Sequence, residues 1–415
     1  MQANMDVSKI WFLERLFGHE CLGGAWQPGA ELLASPAAVP KPPLVDPGDD
    51  SQAVARLRDL SGSASGNGID PDSDFIEKVK LTDAFLNALA RRSVHALDLL
   101  LERSRFQPEL HRRAPLSCGG VTRLLRANDG LVALALARES DVEMLPALLE
   151  CEMPAALFER EVSDRMWTYI ESKLQLHSMN YWTHRAELLG LPMSALGETD
   201  LPTPVSPAVR CTRFPVGRFV DERPVVVDLS SLWAGPLCSR ILTASGARVL
   251  KIEDINRPDG ARVGSPSFFD LLHTGQEFVQ IDFSSPAGRE ELRAHIESAD
   301  IVIEGSRPRG LRNLGIFAES YLNSGRVKTW LSITGYGRDE INENRVAFGD
   351  DAAVSGGLVA HDGESTCFLG DAIADPLTGL VSACAILLSL QADDSCLLDV
   401  AMARVSASFS KRSAT

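Results

Sequence analysis

The sequence predicts an α/β protein in which an open parallel sheet follows a smaller α+β domain. Three observations carry this reading. Pro224-Val225-Val226-Val227-Asp228-Leu229 and Arg248-Val249-Leu250-Lys251-Ile252-Glu253 are short apolar runs rich in β-branched residues, as strands buried on both faces are. Between them, Trp233-Ala234-Gly235-Pro236 opens a stretch with helical spacing through Ile241 and Leu242 that stops at Gly246. Ahead of both lies a glycine loop, Cys118-Gly119-Gly120, then a hairpin pattern, Asn128-Asp129-Gly130 leading into Leu131-Val132-Ala133-Leu134. Strand, glycine-bearing turn, helix and strand in series mark a sheet built from crossover units.

Taken in chain order, residues 1–113 read as an N-terminal helical and loop region. Residues 10–16 suit a short amphipathic helix, whereas residues 31–61 are rich in Pro and Asp and read as loose, with Pro40-Lys41-Pro42-Pro43 extended. Residues 61–68, Ser-Gly-Ser-Ala-Ser-Gly-Asn-Gly, have the composition of a flexible linker. Leu81, Phe85, Leu89, Leu97 and Leu100 space residues 75–102 as a helix packed on the body. The small α+β domain occupies residues 114–200, with a helical stretch from Trp167 to His184 and an ending at Leu188-Leu189-Gly190-Leu191-Pro192. A Pro-rich joint at residues 201–207 leads into the sheet domain, residues 201–415, and residues 406–412 carry no core pattern.

Composition bounds the function. With 45% hydrophobic and 23% charged residues over 415 positions, the chain can bury two or three domain cores. A formal charge of −15 argues against a nucleic-acid partner, which needs a basic footprint. The eight cysteines never take C-x-x-C spacing, so free thiols in a reducing cytosol are expected and no zinc site. No run approaches the ~18 apolar residues of a membrane span, and Asp6, Lys9 and Glu14 stand where a signal peptide would be apolar. H-E-x-x-H, P-loop and G-x-S-x-G motifs are absent, so metal and serine mechanisms have no support.

Six further pieces fall in one order after the Ala234-Gly235-Pro236 turn and the Gly246-Ala247-Arg248-Val249-Leu250-Lys251-Ile252-Glu253 strand. They are Gln280-Ile281-Asp282-Phe283 with Pro286-Ala287-Gly288-Arg289, then Ala299-Asp300-Ile301-Val302-Ile303-Glu304 with Arg307-Pro308 and Leu314-Gly315. Next come Ser332-Ile333-Thr334-Gly335-Tyr336-Gly337, Ser355-Gly356-Gly357-Leu358, Ala374-Asp375-Pro376-Leu377-Thr378-Gly379, and Leu398-Asp399-Val400-Ala401-Met402. In this register they resemble the family III CoA-transferases, the CaiB/BaiF group, over roughly half the chain. The resemblance implies a Rossmann-like sheet domain, coenzyme A as substrate with no other cofactor, an acyl-CoA donor with a carboxylate acceptor, and a homodimer or a heterodimer with another family member.

It also implies a mechanism. Asp375, which carries the Thr378-Gly379 spacing, attacks the thioester carbonyl to give an acyl–aspartyl anhydride and CoA thiolate, which then resolves the anhydride. A carboxylate becomes an adequate nucleophile when held against the thioester with water excluded. Asp371, four residues earlier, lacks that spacing; the plainer reading of Asp375 is a helix cap. The resemblance casts the amides of Gly119 and Gly120 as lid or oxyanion donors and Trp233, Ala234, Gly235 and Pro236 with Arg307 as part of the CoA cleft. Lys251, Arg257, Arg262, Arg307, Arg309 and Arg312, taken to lie on loops or strand ends, are the candidate cations for CoA phosphates, with Arg307 suited to a bidentate clamp.

Departures from the family pattern matter as well. Family racemases of 2-methylacyl-CoA carry Gly-His-Asp where this chain has Gly349-Asp350-Asp351, so a base that titrates near neutrality is missing and transfer is favoured over racemisation. Gln276 replaces a usual Lys, and the small-domain pieces precede the sheet pieces, as in a permuted or truncated chain. Three alternatives stay open: racemase or epimerase, a CoA-dependent dehydratase-like enzyme, and a catalytically degenerate subunit that pairs with another family III chain. His177 and His184 read as surface residues, and His361 as a loop residue near the site.

Overall fold

A computed structural model of the chain describes residues 7–22, 50–62, 68–90, 94–154, 157, 162–217, 220–221, 223–363 and 365–411. Its strands are β1 (Thr122–Arg126), β2 (Leu131–Ala135), β3 (Met193–Ala195), β4 (Val209–Phe214), β5 (Val225–Asp228), β6 (Arg248–Asp254), β7 (Glu277–Ile281), β8 (Ile301–Glu304), β9 (Thr329–Thr334), β10 (Val359–Asp362), β11 (Ser365–Phe368) and β12 (Ser395–Ala401). Seven of them form one sheet in the order β4-β12-β9-β8-β5-β6-β7. Every neighbouring pair is parallel except β12 with the edge strand β4.

The order reverses between β5 and β8, because the chain moves outward through β6 and β7 and returns to β8 on the other side of β5. Val226 and Val227 of β5 and Ile301, Val302 and Ile303 of β8 are completely buried, which is why these strands read as unbroken apolar runs. Ligands of such doubly wound sheets enter at this reversal, outside the carboxyl ends of the strands. The loops there are residues 229–233 and 305–308. They touch: a Cβ on Gly305 would lie 3.2 Å from Ser230 Cβ.

Helices cover both faces. On one, Leu292 and Ile296 of Pro286–Ser298 pack with Tyr321, Leu322, Trp330 and Val302. On the other, Ala234–Ser245 lies against Ala374–Ser389 so closely that a Cβ on Gly379 would sit 2.7 Å from Ala234 O. Ala374–Ser389 is buried along nearly all its length apart from Asp375 and Leu387, as expected of a helix apolar all round. Its outer side is covered by Val7–Leu22 and Ser73–Ala90.

The antiparallel sheet β1-β2-β3 has its own core with the helices Asp164–Leu174 and Met179–Leu189, centred on Trp167, Ile170 and Trp182. Ser178 breaks the stretch from Trp167 to His184 into these two helices, its hydroxyl accepting from Tyr181 N. The helix Gly349–Ser355 joins this unit to the large sheet's side, since Ser194 Oγ donates to Asp351 O at 2.8 Å and Gly197 N to Val354 O at 2.9 Å.

Several expectations need correction. The first helix runs Val7–Leu22, kinked at Gly18, and residues 75–102 hold two helices, Ser73–Ala90 and Ala96–Leu100. Asp50–Leu60, assigned to a loose stretch, is a helix that buries Ala53, Leu57 and Leu60. Of the proposed linker, residues 63–67 lie outside the described residues, as does Pro40-Lys41-Pro42-Pro43; Ser61 is completely buried and its hydroxyl accepts from Gly370 N at 3.0 Å. The tail is not coreless: Met402–Phe409 is a fully buried helix, with Phe409 edge-on to Phe12 at 5.3 Å. Its small and hydroxyl residues hid it, because their burial is helix packing without an apolar signature. Among the described residues no helix is long and apolar enough to cross a membrane.

Candidate functional site

Asp375 stands in the first turn of Ala374–Ser389, where the helix dipole favours negative charge. The residue is half-buried, and among the described residues no hydrogen bond reaches its carboxylate. A capping role therefore has no bond behind it. The carboxylate lies over the backbone of Gly349: a Cβ there would be 2.5 Å from Asp375 Oδ2 and 2.5 Å from Ala372 O. That approach is why glycine stands at 349.

Three more carboxylates surround this point. Asp350 Oδ1 accepts from Ala372 N at 3.0 Å, Asp351 Oδ1 accepts from Phe348 N at 2.8 Å, and Asp371 is forked by Arg103, whose Nε donates to Oδ2 at 2.6 Å while Nη2 donates to Oδ1. Asp371 is thus spoken for on both oxygens, and Asp375 is the available one. Burial pushes the Asp375 carboxyl up to about 7, Arg103 opposes the rise, and Asp350 and Asp371 add to it. Burial also raises Asp350, reinforced by Asp371, and raises Asp351 far above the usual carboxylate range.

The glycine loop is anchored beside this cluster. Cys118 Sγ donates to Leu60 O and Gly370 O at 3.1 and 3.3 Å, and a Cβ on Gly119 would lie 3.4 Å from Arg103 Nη2. The two amides differ. Gly120 N closes a turn onto Ser117 O at 2.9 Å and is engaged, while Gly119 N makes no hydrogen bond among the described residues. Gly120 has φ 78°, which only glycine adopts without strain.

Ala234, Gly235 and Pro236 are all buried in the first turn of their helix. A Cβ on Gly235 would fall 2.0 Å from Ser230 Oγ, so the small residue serves packing between loop and helix rather than ligand approach. Ahead of it Trp233 is buried, edge-on to Phe268 at 5.2 Å, with the Arg103 guanidinium 5.4 Å from its ring centroid.

The basic candidates separate sharply. Lys251 is not on a strand end facing solvent: it is completely buried in β6, donates to Ser230 O, and has Asp259 Oδ2 at 3.9 Å. Asp259 in turn accepts from Leu232 N, at 3.1 Å on each oxygen, and holds Leu232 at φ 71°. Arg312 is paired with Glu343 at 2.6 Å, and Arg262 with Glu253 at 2.6 Å over the rings of Phe269 and Phe278. Arg257 and Arg309 are exposed. Gln276, in the place of the family Lys, donates to Ser239 Oγ at 3.1 Å.

Arg307 is different. It reaches Asn344 O at 3.4 Å and is held below the usual guanidinium range by burial and by the neighbouring charges of Arg309, Arg138 and Arg257. It lines a cleft of about 600 Å³ together with Arg138, Met144, Leu188, Arg309 and Asn344, at the junction of the small unit and the large sheet. Arg138 is forked on Asp141 and Glu187 also lines the cleft, whereas Arg307 has no carboxylate partner among the described residues, which suits an anionic ligand. Arg138 also stands 6.0 Å from the ring of Phe348, the residue before Gly349. Among the described residues, no group of three or more His, Cys, Asp or Glu is arranged to hold a metal ion. His184 is exposed, His177 stacks on Tyr181 at 4.1 Å, and His361 sits exposed in β10; none enters the site.

Arg103 and Arg138 had drawn no attention in the sequence as site residues, and Gly349 only as part of the Gly349-Asp350-Asp351 step. The two arginines lie in segments without motif, and Arg103 acquires meaning only through Asp371, far along the chain.

Residues 224–415 match the family model described as CoA-transferase family III. An acyl-CoA transferase of Fusarium pseudograminearum is 27% identical over 183 residues, 40% of this chain and 40% of its own. A succinyl-CoA–D-citramalate CoA-transferase of Chloroflexus aurantiacus is 26% identical over 177 residues, 40% of this chain and 44% of its own. A solved structure of a CaiB/BaiF family protein from Brucella suis shares 25% identity over 47% of this chain and 55% of that one, with a TM-score of 0.40. The chain therefore spans less than half the length of the curated relatives it matches.

Proposed function

We infer the function from one premise: residues 224–415 of this chain belong to CoA-transferase family III. The reading this supports best is a CoA-transferase that moves coenzyme A from an acyl-CoA to a carboxylic acid. Asp375 is the proposed nucleophile. One of its oxygens attacks the thioester carbonyl, the C–S bond breaks, CoA leaves as thiolate, and a mixed anhydride joins the acyl group to Asp375. The thiolate then attacks the aspartyl carbonyl and releases the donor acid, and the acceptor carboxylate enters by the reverse of the same steps. Asp375 is regenerated and no proton is consumed.

The observation that carries the proposal is the contrast between two carboxylates four residues apart. Asp371 is locked by Arg103, while Asp375 is half-buried and makes no hydrogen bond among the described residues, which leaves its oxygens available to a carbonyl. Racemisation finds less support, because Asp350, in the place of the family His, is buried and spent on Ala372 N.

The test is the intact mass of the protein after incubation with a panel of short acyl-CoAs, with hydroxylamine as trap. A hydroxamate or acyl adduct supports the proposal; no adduct with any thioester removes it. Because the nucleophile is the ionised form and its carboxyl titrates near 7, adduct formation should rise by about tenfold per pH unit on the acid side and level off above neutrality. A rate flat between about pH 5 and 8 would mean that Asp375 ionises in the ordinary range or is not the nucleophile.

Arg307 is the proposed phosphate contact. Arg307→Ala should raise KM for acyl-CoA by about tenfold with kcat little changed, as loss of uniform binding does. With an acyl-pantetheine thioester, which lacks the nucleotide phosphates, the variant and the wild type should be indistinguishable. An equal loss on both thioesters assigns Arg307 a structural part instead.

A further inference from the structure

We propose that Arg103 is a positioning residue of the Asp375 site, so that the N-terminal segment, which the family match does not cover, is a working part of the active centre. The inference rests on the transferase reading for its kinetic consequence, though not for its physical basis.

Arg103 opens the short helix Arg103–Phe106 and reaches 268 residues along the sequence to Asp371. It uses the side-on edge of its guanidinium, Nε and Nη2, for that fork, and Nη1 makes no hydrogen bond among the described residues. The same guanidinium lies over Trp233, which begins the helix Ala234–Ser245. Its neighbour Glu102 makes a second buried ion pair, with Arg240 of that helix. Two consecutive residues thus fasten the N-terminal segment to the turn before the helix Ala374–Ser389 and to the helix Ala234–Ser245. A surface appendage would not be buried at both contacts; Glu102, Arg240 and Asp371 are each no more than 6% exposed.

Charge gives this staple its purpose. Asp350 and Asp351 face Asp375 from the helix Gly349–Ser355 and Asp371 from the preceding turn, while the Cys118 thiol of the glycine loop, with Arg113 near it, faces Asp371 and Asp350; Arg103 is the cation that acts on Asp375. The other charges packed around the same helix are directed elsewhere: Arg240 to Glu102, Arg404 to Asp399, and Asp83 to the far end near Cys384. During turnover the site must also accept a thiolate and a carboxylate. Without Arg103 these anions would enter beside unneutralised carboxylates, and the cluster would hold an extra proton at neutral pH, on Asp375 or on the neighbour it leans against.

The variants Arg103→Ala, Arg103→Lys and Glu102→Gln separate positioning from simple support. Arg103→Ala should move the acid limb of adduct formation to higher pH by one unit or more, which reads as about a tenfold loss near pH 6 that recovers in alkaline buffer. Arg103→Lys should recover much of the shift, as it keeps the charge and loses the fork. Glu102→Gln breaks the neighbouring pair and should lower thermal stability with the limb unmoved. A loss by the same factor at every pH, or an equal displacement in Glu102→Gln, overturns the proposal.

A second readout needs no substrate. The infrared carboxylate bands of wild type and of Arg103→Ala, each taken as a difference against the corresponding Asp375→Asn protein, report the ionisation of Asp375 in the resting chain. A midpoint displaced to higher pH in the Arg103 variant supports the proposal, and coincident midpoints end it. If no thioester forms an adduct with wild type, the transferase reading fails while this titration still decides the part played by Arg103.

Discussion

Asp375→Asn is expected to lose on the order of 10⁴-fold or more of CoA transfer, and all trapped adduct, while the protein stays folded. Asn has the same shape and cannot form an anhydride. The stability half of this expectation follows from sign. The Asp375 carboxyl is raised in the folded chain, from 3.8 to about 7, so the fold binds its proton more tightly than the unfolded chain does. That contribution is fully present below the unfolded value and is lost as pH rises through the folded one. Above neutrality the ionised side chain sits against Asp350 and Asp371, and a neutral amide relieves the repulsion. Denaturant midpoints at about pH 8 should therefore be equal or higher in the variant. Residual transfer within tenfold of wild type would sink the nucleophile assignment. A collapse in stability would point to a structural part for the carboxylate that its lack of hydrogen bonds does not suggest.

Lys251→Met should cost about 3–5 kcal/mol of folding stability, because it strips the cation from a buried pair and leaves Asp259 uncompensated. Both side chains are fully buried, and together they tie β6, the Ser230 carbonyl and the left-handed Leu232 into one unit at the sheet's reversal point. Urea denaturation of wild type, Lys251→Met and the double variant Lys251→Met/Asp259→Asn distinguishes this from loss of a phosphate contact. The double variant should regain part of the stability, since no bare charge is then left inside. If Lys251→Met leaves the midpoint unchanged and only raises KM for acyl-CoA, the lysine serves the ligand after all.

That pair also shows where the sequence stops speaking. The apolar run around Lys251 located β6 correctly, since burial on both faces imposes β-branched residues whatever their neighbours. It could not say that the one cation in the run points inward, because the partner is Asp259, in a loop with no pattern of its own. The same limit applies at the turn 234–236. Its helix start was legible from Pro236 and the apolar spacing, yet the need for Gly235 is set by the Ser230 hydroxyl on another element. Asp375 was legible as a motif. Its distinction from Asp371 became physical only when Arg103 was found on one and not on the other, a contact that joins opposite ends of the chain. The edge strand β4 was not assigned from the sequence: Val209–Phe214 buries Val209, Cys211 and Phe214 and exposes Arg210 and Thr212, a run too polar to read as a strand buried on both faces.

β4 bears on how the protein can be divided. The family match begins at residue 224, fifteen residues after β4 starts. A fragment cut at that point would keep β12, whose seven residues are all buried, and lose the antiparallel neighbour that occupies its outer hydrogen-bonding edge. A buried strand left unpaired along one edge recruits other strands, so such a fragment should self-associate rather than fold alone. The boundary of homology and the boundary of solubility are therefore different places in this chain, and the second lies upstream of Val209.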